Sequence, residues 1–221
     1  MLHCDGLLRL MPEFSGARGV LIAFEGGDGS GKSTQARLLS EQLDAVLTRQ
    51  AGGTAFGERV RELTLDPRTA HVSERAEALL YMADRAEHVD ELVEPALNQG
   101  RHVVSDRWAY STLVYQGYVG GLDIDELRRI ANWAMHDLWP DIVVLLQVPL
   151  EVGERRMSHR GGEADHYESA GIEARQRLDE GFLRLASQEP DRWRVVDGTG
   201  TVEEVAARVW SVVAPALNRA V

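Results

Sequence analysis

The chain has 221 residues, of which 44% are hydrophobic and 27% are charged, and this composition predicts one soluble globular domain with a continuous core. The net charge of −11 argues against nucleic acid as the main partner, because phosphate backbones select basic surfaces. The single cysteine, Cys4, excludes an intrachain disulfide, and no apolar run approaches the roughly 18 residues that a membrane span needs. We therefore expect a cytoplasmic protein that binds neither nucleic acid nor membrane.

Residues 1–18 are predicted to form an N-terminal extension, and residues 19–221 a single domain. The extension does not fit a signal peptide, because Asp5, Arg9 and Glu13 interrupt any apolar segment. The domain opens with Gly19 to Phe24, a continuously apolar run that is typical of a strand buried on both faces.

Strand and helix patterns alternate along the rest of the chain. This alternation predicts an α/β fold in which helices cover both faces of a five-stranded parallel sheet. Ser73 is a predicted N-cap, Gly100 a predicted helix end, and Thr201 and Glu204 a capping box for the last helix. The predicted strands are 19–24, 46–48, 102–105, 141–148 and 193–196, and the predicted helices are 33–43, 73–100, 123–137, 151–158 and 168–187, with a last one opening at 201.

The chain contains one lysine, Lys32, and the other 23 of its 24 cationic side chains are arginine. Lys32 stands in a stretch that fits G-x-x-x-x-G-K-[ST], the phosphate-binding loop or P-loop, in which backbone N–H groups and the lysine bind nucleotide phosphates. A chance match is the alternative, which the strand before and the helix after the motif disfavour. The predicted ATP-binding residues of the loop are Gly26, Gly27, Asp28, Gly29, Ser30, Gly31, Lys32, Ser33 and Thr34.

Further arginines follow predicted strands or lie in connections on the same side of the sheet, where ligands of parallel sheets bind. Arg107 comes directly after a strand, and a surface ion pair with Asp106 is the alternative reading. Arg155, Arg156 and Arg160 precede Gly161 and Gly162. Arginines beside glycines suit a mobile lid, about 155–168, that closes over ATP, although a solvated helix end is a serious alternative.

Tyr81, Asp84 and Arg85 stand at i, i+3 and i+4, and therefore share one face of the long predicted helix. A tyrosine that can stack on a base, beside an arginine that can hydrogen-bond it, makes a plausible base-recognition surface. Core packing of Tyr81 and an ion pair of Arg85 are the alternative, because aromatic residues at helical spacing are usually core residues.

Five segments in this order match one known family from Gly19 onward. They are 24–34 (Phe-Glu-Gly-Gly-Asp-Gly-Ser-Gly-Lys-Ser-Thr), 48–54 (Thr-Arg-Gln-Ala-Gly-Gly-Thr), 77–85 (Glu-Ala-Leu-Leu-Tyr-Met-Ala-Asp-Arg), 106–108 (Asp-Arg-Trp) and 111–117 (Ser-Thr-Leu-Val-Tyr-Gln-Gly). The chain resembles the thymidylate kinases, whose P-loop kinase fold carries a short lid. The resemblance implies ATP-dependent phosphorylation of dTMP to dTDP with Mg²⁺, in a homodimer.

The resemblance also implies roles for individual residues on the acceptor side. Arg107 would clamp the acceptor phosphate, and Asp28 would lie near the sugar 3′-hydroxyl and that arginine. Tyr81 would stack on the pyrimidine while Arg85 reaches a base oxygen. The full set implied for the acceptor is Asp28, Arg49, Tyr81, Arg85, Arg107, Thr112, Tyr115 and Gln116.

The implied catalytic residues are Lys32 of the P-loop, Arg107 on the acceptor side and Arg160 on the donor side. Arg160 would come from the lid, because the P-loop itself lacks an arginine. Arg156 would join the P-loop in binding ATP. The implied Mg²⁺ ligands are Ser33 and Asp106, directly or through a water.

The chain departs from the family pattern at several positions. Gln50 and Ala51 replace a common Glu-Pro pair, which removes a carboxylate and a rigid turn of the type that tolerates a cis bond. His166, Gln147 and Ser158 also stand where other residues are common. These departures keep open the alternative of a kinase for another or a 5-modified pyrimidine monophosphate. A catalytically degraded nucleotide binder is a separate alternative, against which the presence of Lys32, Ser33, Asp28, Arg107 and a lid arginine argues.

Overall fold

A computed structural model describes residues 17–66, 72–160 and 171–220, with the side chains of 159, 160, 171, 172 and 218–220 outside the description. Its five strands are β1 (Leu21–Glu25), β2 (Val46–Arg49), β3 (Val103–Asp106), β4 (Ile142–Gln147) and β5 (Trp193–Asp197). They pair in the order β2-β3-β1-β4-β5, and every pairing is parallel. The predicted five-stranded parallel sheet is confirmed.

Helices connect the strands. They are α1 (Lys32–Leu43), α2 (Ala55–Leu65), α3 (Glu74–His88), α4 (Glu94–Asn98), α5 (Ala109–Thr112), α6 (Ile124–Ala134), α7 (Leu150–Arg160), α8 (Gly171–Gln188) and α9 (Val202–Ala220), with two π-helical segments, π1 (Val89–Val93) and π2 (Leu113–Val119). Among the described residues, no helix has both the length and the apolar character needed to cross a membrane.

Both faces of the sheet are covered, as the continuously apolar strands predict. Successive residues of β1 point to opposite faces, so that Leu21 and Ala23 belong to one core cluster, and Ile22 and Phe24 to the other. The cluster around Phe24 is closed by α1 and α9, and the cluster around Leu21 by α3, α4, α6 and α8. The sheet is thereby held rigid beneath the loops at its carboxyl edge.

The predicted single helix over 73–100 is wrong in its middle. Its ends are as predicted: the Ser73 hydroxyl accepts from the amide of Ala76, and Gly100 has a positive φ of 75°. Between them the chain passes from α3 through π1 into α4. Val89 and Val93 of π1 are fully buried. We attribute the change of helical pitch to their packing, because the apolar periodicity of the sequence continues through this segment unchanged.

Two helical stretches, α2 and α5 with π2, were not predicted. α2 buries only Gly57 and Val60, so it lacks the apolar periodicity that marks a helix. Its start has a local signal, because the Thr54 hydroxyl accepts from the amide of Gly57. α5 and π2 are almost entirely buried, and a short buried helix cannot be distinguished from a strand by periodicity.

The remaining boundaries agree with the sequence to within a few residues. Asp123 caps α6 through the amide of Glu126, and Thr201 and Glu204 exchange the two bonds of the predicted capping box at the start of α9. Most of the predicted extension and most of the predicted lid, with His166, lie outside the described residues.

Candidate active site

The carboxyl edge of the sheet brings the predicted site residues together. In the strand register Phe24 pairs with Asp106, and Arg49 pairs with the same aspartate from the other side. The P-loop after β1, the 50–54 turn after β2 and the Asp106–Arg107 corner after β3 therefore adjoin one another. This is the edge at which ligands of parallel sheets bind.

The P-loop has the backbone that its glycines allow. Gly29 and Gly31 have φ values of 76° and 95°, and a Cβ at Gly29 would lie 2.4 Å from the carbonyl oxygen of Gly153. Helix α1 begins at Lys32, immediately after Gly31. The positive end of the helix therefore points into the loop, an arrangement that favours bound phosphate.

Lys32, Asp28 and Arg107 form a connected charge cluster between the loop and the β3 corner. Asp28 Oδ1 accepts from Lys32 Nζ at 3.3 Å and from Arg107 Nη2 at 2.7 Å. Burial alone would raise the pKa of Asp28, but these two cations hold it well below its ordinary value. Burial and the neighbouring Arg107 lower the pKa of Lys32. One aspartate thus joins the two predicted catalytic cations.

Arg107 is fixed by its backbone as well as its side chain. Its φ of 72° lies in the left-handed region, which costs a non-glycine residue roughly 1–2 kcal/mol. Its amide donates to the carbonyl of Phe24, and its own carbonyl accepts from the hydroxyl of Ser105. The guanidinium also donates to the Ser111 hydroxyl at 3.1 Å and lies 5.2 Å from the Tyr115 ring centroid. The surroundings therefore determine where Arg107 points.

Beside this cluster lies an open cleft of about 670 Å³. Seven of the eight residues predicted for the acceptor line it, the exception being Arg49. Its lining also includes side chains that the sequence did not suggest. The predicted residues in the lining are Asp28, Tyr81, Arg85, Arg107, Thr112, Tyr115 and Gln116.

Arg85 is a buried member of the cleft lining. It is 2% exposed, its Nε donates to Gln50 Oε1 at 3.0 Å, and its Nη2 donates to Thr112 Oγ1 at 3.2 Å. Burial lowers the pKa of Arg85 to about 10, so it remains charged at neutral pH. The Gln50 amide nitrogen is buried and has no hydrogen-bond partner among the described residues. The peptide bond between Gln50 and Ala51 is cis.

Arg49 lies elsewhere. Its guanidinium pairs with Glu58 at 2.6 Å, and Glu58 in turn accepts from the amide of Gly53. In this structure, therefore, Arg49 braces the 50–54 turn against α2 rather than lining the cleft.

Arg61 of α2 lines the cleft and was missed. It donates to the carbonyl of Ala51 at 3.3 Å, and burial together with the cations Arg49 and Arg107 lowers its pKa. Ser111 was missed as a site residue although it lies in a matching segment. The sequence offered no signal for Arg61, because its helix was itself not predicted.

A second cleft, of about 780 Å³, lies on the other side of the P-loop, between Thr34, Gln35 and the loop that joins β5 to α9. Arg156 spans it. One of its nitrogens donates to the carbonyl of Ser30 at 3.3 Å and the other to the carbonyl of Gly198 at 3.0 Å. The side chain of Arg160, the predicted lid catalyst, lies outside the described residues.

The predicted magnesium ligands fit a magnesium ion chemically. Mg²⁺ binds through one or two protein oxygens together with substrate phosphates. Asp106 Oδ1 is buried and has no hydrogen-bond partner in the described part of the chain, and Ser33 is exposed directly after Lys32. No three His, Cys, Asp or Glu side chains gather as a metal site among the described residues. The chain therefore offers oxygens for a cation that a nucleotide brings, rather than a complete cage.

Three features together define a P-loop nucleoside monophosphate kinase. They are the P-loop with its buried lysine, the parallel sheet in this strand order, and the arginine-lined cleft opposite the loop.

A family model described as thymidylate kinase matches residues 24–209. The thymidylate kinase of Cutibacterium acnes is 43% identical over 206 residues, which cover 91% of this chain and 99% of that protein. The one from Carboxydothermus hydrogenoformans is 47% identical over 193 residues, 85% of this chain and 93% of that protein.

A solved structure agrees. The crystal structure of thymidylate kinase from Ehrlichia chaffeensis superposes with a TM-score of 0.74 at 30% identity, covering 89% of this chain and 99% of that one. The chain belongs to the thymidylate kinase family, as the resemblance of its five segments predicted.

Proposed function

We propose that this protein phosphorylates dTMP to dTDP with ATP as the phosphate donor. The observation that carries the proposal is the Asp28 carboxylate, which joins the P-loop lysine to the arginine of the opposite cleft. A donor phosphate at Lys32 and an acceptor phosphate at Arg107 would then meet across one short charge cluster. Phosphoryl transfer needs this kind of positioning more than it needs covalent help.

The donor binds to the P-loop. Backbone amides of residues 26–34 and the Lys32 ammonium would hold its phosphates, and the positive end of α1 adds to the field. The cleft spanned by Arg156 is open enough to receive the adenosine. Mg²⁺, held by Ser33 and Asp106, would supply charge neutralisation on the donor phosphates. Arg160 stays our candidate for the catalytic arginine of the lid.

The acceptor binds in the opposite cleft. Arg107 and Arg61 line the cleft, and we assign them to the acceptor phosphate. Arg85, already oriented by Gln50 and Thr112, presents nitrogens to a base oxygen. Tyr81 would stack on the base, with Tyr115 and Gln116 along the base and the deoxyribose. A buried donor of this kind favours a pyrimidine with a carbonyl, and disfavours one with an amino group in its place.

We further propose that the protein is a homodimer. Leu79 of α3 is 51% exposed and Trp133 of α6 is 82% exposed, although both are large apolar side chains. The two helices pack on each other, and a groove between them is lined by Met82, Leu127 and Ile130. Large exposed apolar side chains beside such a groove suit contact with a second copy of the chain. The cytoplasmic location stays a prediction.

A coupled assay of ADP formation with dTMP, dUMP, dCMP and 5-hydroxymethyl-dUMP tests the function. We expect the highest kcat/KM for dTMP and the lowest for dCMP. A higher kcat/KM for the 5-substituted nucleotide would establish the alternative kinase. No turnover with any of them, together with ATP binding measured by calorimetry, would establish a degraded nucleotide binder.

A further inference from the structure

Glu25, the last residue of β1, is a fully buried carboxylate that the proposed mechanism does not use. Its Oε1 accepts from the amide of Trp108 at 2.9 Å and from the amide of Ser111 at 3.2 Å. Its Oε2 accepts from the Ser111 hydroxyl at 2.6 Å. Burying a carboxylate is costly, and these three donors offset part of that cost.

All three donors belong to the corner that carries Arg107. Helix α5 starts immediately after Trp108, and the Trp108 side chain makes no capping bond there. Glu25 instead reaches across from β1 and receives the first amides of the corner. It therefore ties the strand that leads into the P-loop to the segment that follows Arg107.

The Ser111 hydroxyl continues this connection to the guanidinium. It donates its proton to Glu25 and accepts from Arg107 Nη1 at 3.1 Å. Arg107 Nη2 is meanwhile held by Asp28. The guanidinium is thus fixed from two sides, by the P-loop aspartate directly and by Glu25 through one hydroxyl.

We propose that Glu25 is a positioning residue for Arg107, which it aims at the acceptor phosphate through the Ser111 hydroxyl. The proposal rests on the proposed function, because it takes Arg107 as the ligand of the acceptor phosphate. Glu25 is not among the described residues that line the acceptor cleft, so it acts through its neighbours rather than on the substrate.

A carboxylate performs this task better than an amide. Above the Glu25 pKa of about 7 the carboxylate is ionised and only accepts, so the Ser111 hydroxyl must donate to it and turns a lone pair toward Arg107. An amide NH₂ in that place is itself a donor, and frees the hydroxyl to rotate. The charge also matters, because the cations Arg107, Lys32 and Arg85 lie near enough to attract the Glu25 carboxylate electrostatically.

Steady-state kinetics of Glu25→Gln and Ser111→Ala at a pH above 7, where Glu25 is ionised, with dTMP and ATP varied separately, test the proposal. In each variant we expect the KM for dTMP to rise about tenfold, the change expected for one buried charge-assisted hydrogen bond, while the KM for ATP changes less than about twofold. The double variant should match the worse single variant, since both substitutions break the same connection. An unchanged KM for dTMP, an equal rise in both KM values, or additive effects would overturn it.

Two controls keep the result unambiguous. Glu189→Gln removes another partly buried carboxylate, bonded to Tyr110 and Arg192, and should leave both KM values unchanged. If Glu25→Gln does not fold, Ser111→Ala decides alone, and a wild-type KM for dTMP in that variant overturns the proposal. A raised KM in Arg107→Ala without one in Glu25→Gln would leave the proposed function standing, whereas a wild type inactive on dTMP would refute the function itself.

Discussion

Lys32 is a buried ammonium at the start of α1. Its side chain bonds the Gly27 carbonyl and the Asp28 carboxylate at 3.2 and 3.3 Å, and it is 7% exposed. A compact, rotatable point charge suits this confined place, whereas the planar fork of an arginine suits bidentate pairing. Several described arginines pair instead with carboxylates or carbonyls, as Arg37, Arg49 and Arg156 do.

We expect Lys32→Ala to lower kcat by about a thousandfold, because it removes a preorganised cation at the transferring phosphate. Arg37→Ala is the matched control, since Arg37 lies on the same helix in an exposed pair with Glu41. Both variants should keep the wild-type circular dichroism spectrum. A Lys32→Ala rate within tenfold of wild type would contradict the assigned donor site.

Gln50 leaves Arg85 without a formal counter-charge at its Nε, and leaves its own amide nitrogen unpaired. We expect Gln50→Glu to raise the unfolding free energy by about 1 kcal/mol, because it adds a partner for a buried charge and removes an unsatisfied donor. Gln35→Glu is the contrasting control. The Gln35 amide nitrogen donates to the Val202 carbonyl, and this hydrogen bond would be lost in the variant. Thermal unfolding should move the two variants in opposite directions; a lower midpoint for Gln50→Glu would refute this account of Arg85.

At the scale of elements, side chains near the helix starts cap the helices. Ser73 and Asp123 each accept the amide three residues later, and Thr201 and Glu204 bond each other reciprocally. These bonds satisfy amides that a helix start leaves unpaired. They link residues close in sequence, and the sequence therefore predicted the Ser73 cap and the capping box at Thr201.

Thr201→Ala should destabilise the protein by about 1 kcal/mol, which lowers the unfolding midpoint by roughly 2–4 °C in a chain of this size. The reason is that α9 loses the side-chain partner of the Glu204 amide. Ser211→Ala within the same helix serves as the control, because its hydroxyl bonds only the local Arg208 carbonyl. Equal midpoints for the two variants would show that the capping box does not stabilise α9.

At the scale of the whole molecule, buried carboxyls couple stability to pH. Burial raises the pKa of Glu25 to about 7 and that of Asp84 to about 6, both above their unfolded values. The folded state then binds more protons than the unfolded one between about pH 4.5 and 7, so this contribution to stability is complete at low pH and is lost as pH rises through 7. His88 opposes it, because burial lowers its pKa to about 4 and the unfolded state takes up its proton first.

The variant Glu25→Gln isolates the contribution of Glu25 to the pH dependence of the unfolding free energy. Relative to wild type, the variant should gain at most about 3 kcal/mol of unfolding free energy between about pH 4.5 and 8, since it has no carboxylate to desolvate. Urea unfolding of both proteins across this range measures the difference. A difference that does not change with pH would show that Glu25 does not titrate there.

Substitutions of the exposed apolar side chains of α3 and α6 test the proposed dimer. Leu79→Arg and Trp133→Arg should each convert the protein to monomer in light scattering after size exclusion, because a charge replaces an apolar contact at the interface. Leu183→Arg changes a similarly exposed side chain on α8 and should leave the oligomeric state unchanged. A monomeric wild type would contradict the homodimer.

The sequence by itself determined the five strands, most of the helices between them, the P-loop, the Ser73 cap and the capping box of the last helix, because each depends on residues adjacent in the chain or on a short period. It also indicated which corners would meet, since carboxyl ends of parallel strands share one edge. The family followed from five such local segments in order.

Only the tertiary structure decided which side chains line the cleft beside the P-loop. Arg61 lines the cleft while Arg49 pairs with Glu58, and the sequence gives the two arginines no distinguishing mark. The contacts of Glu25 were likewise decided by the tertiary structure, because its bonds to Ser111 join residues 86 positions apart. Side-chain direction depends on packing between distant elements, and a local pattern does not contain that information.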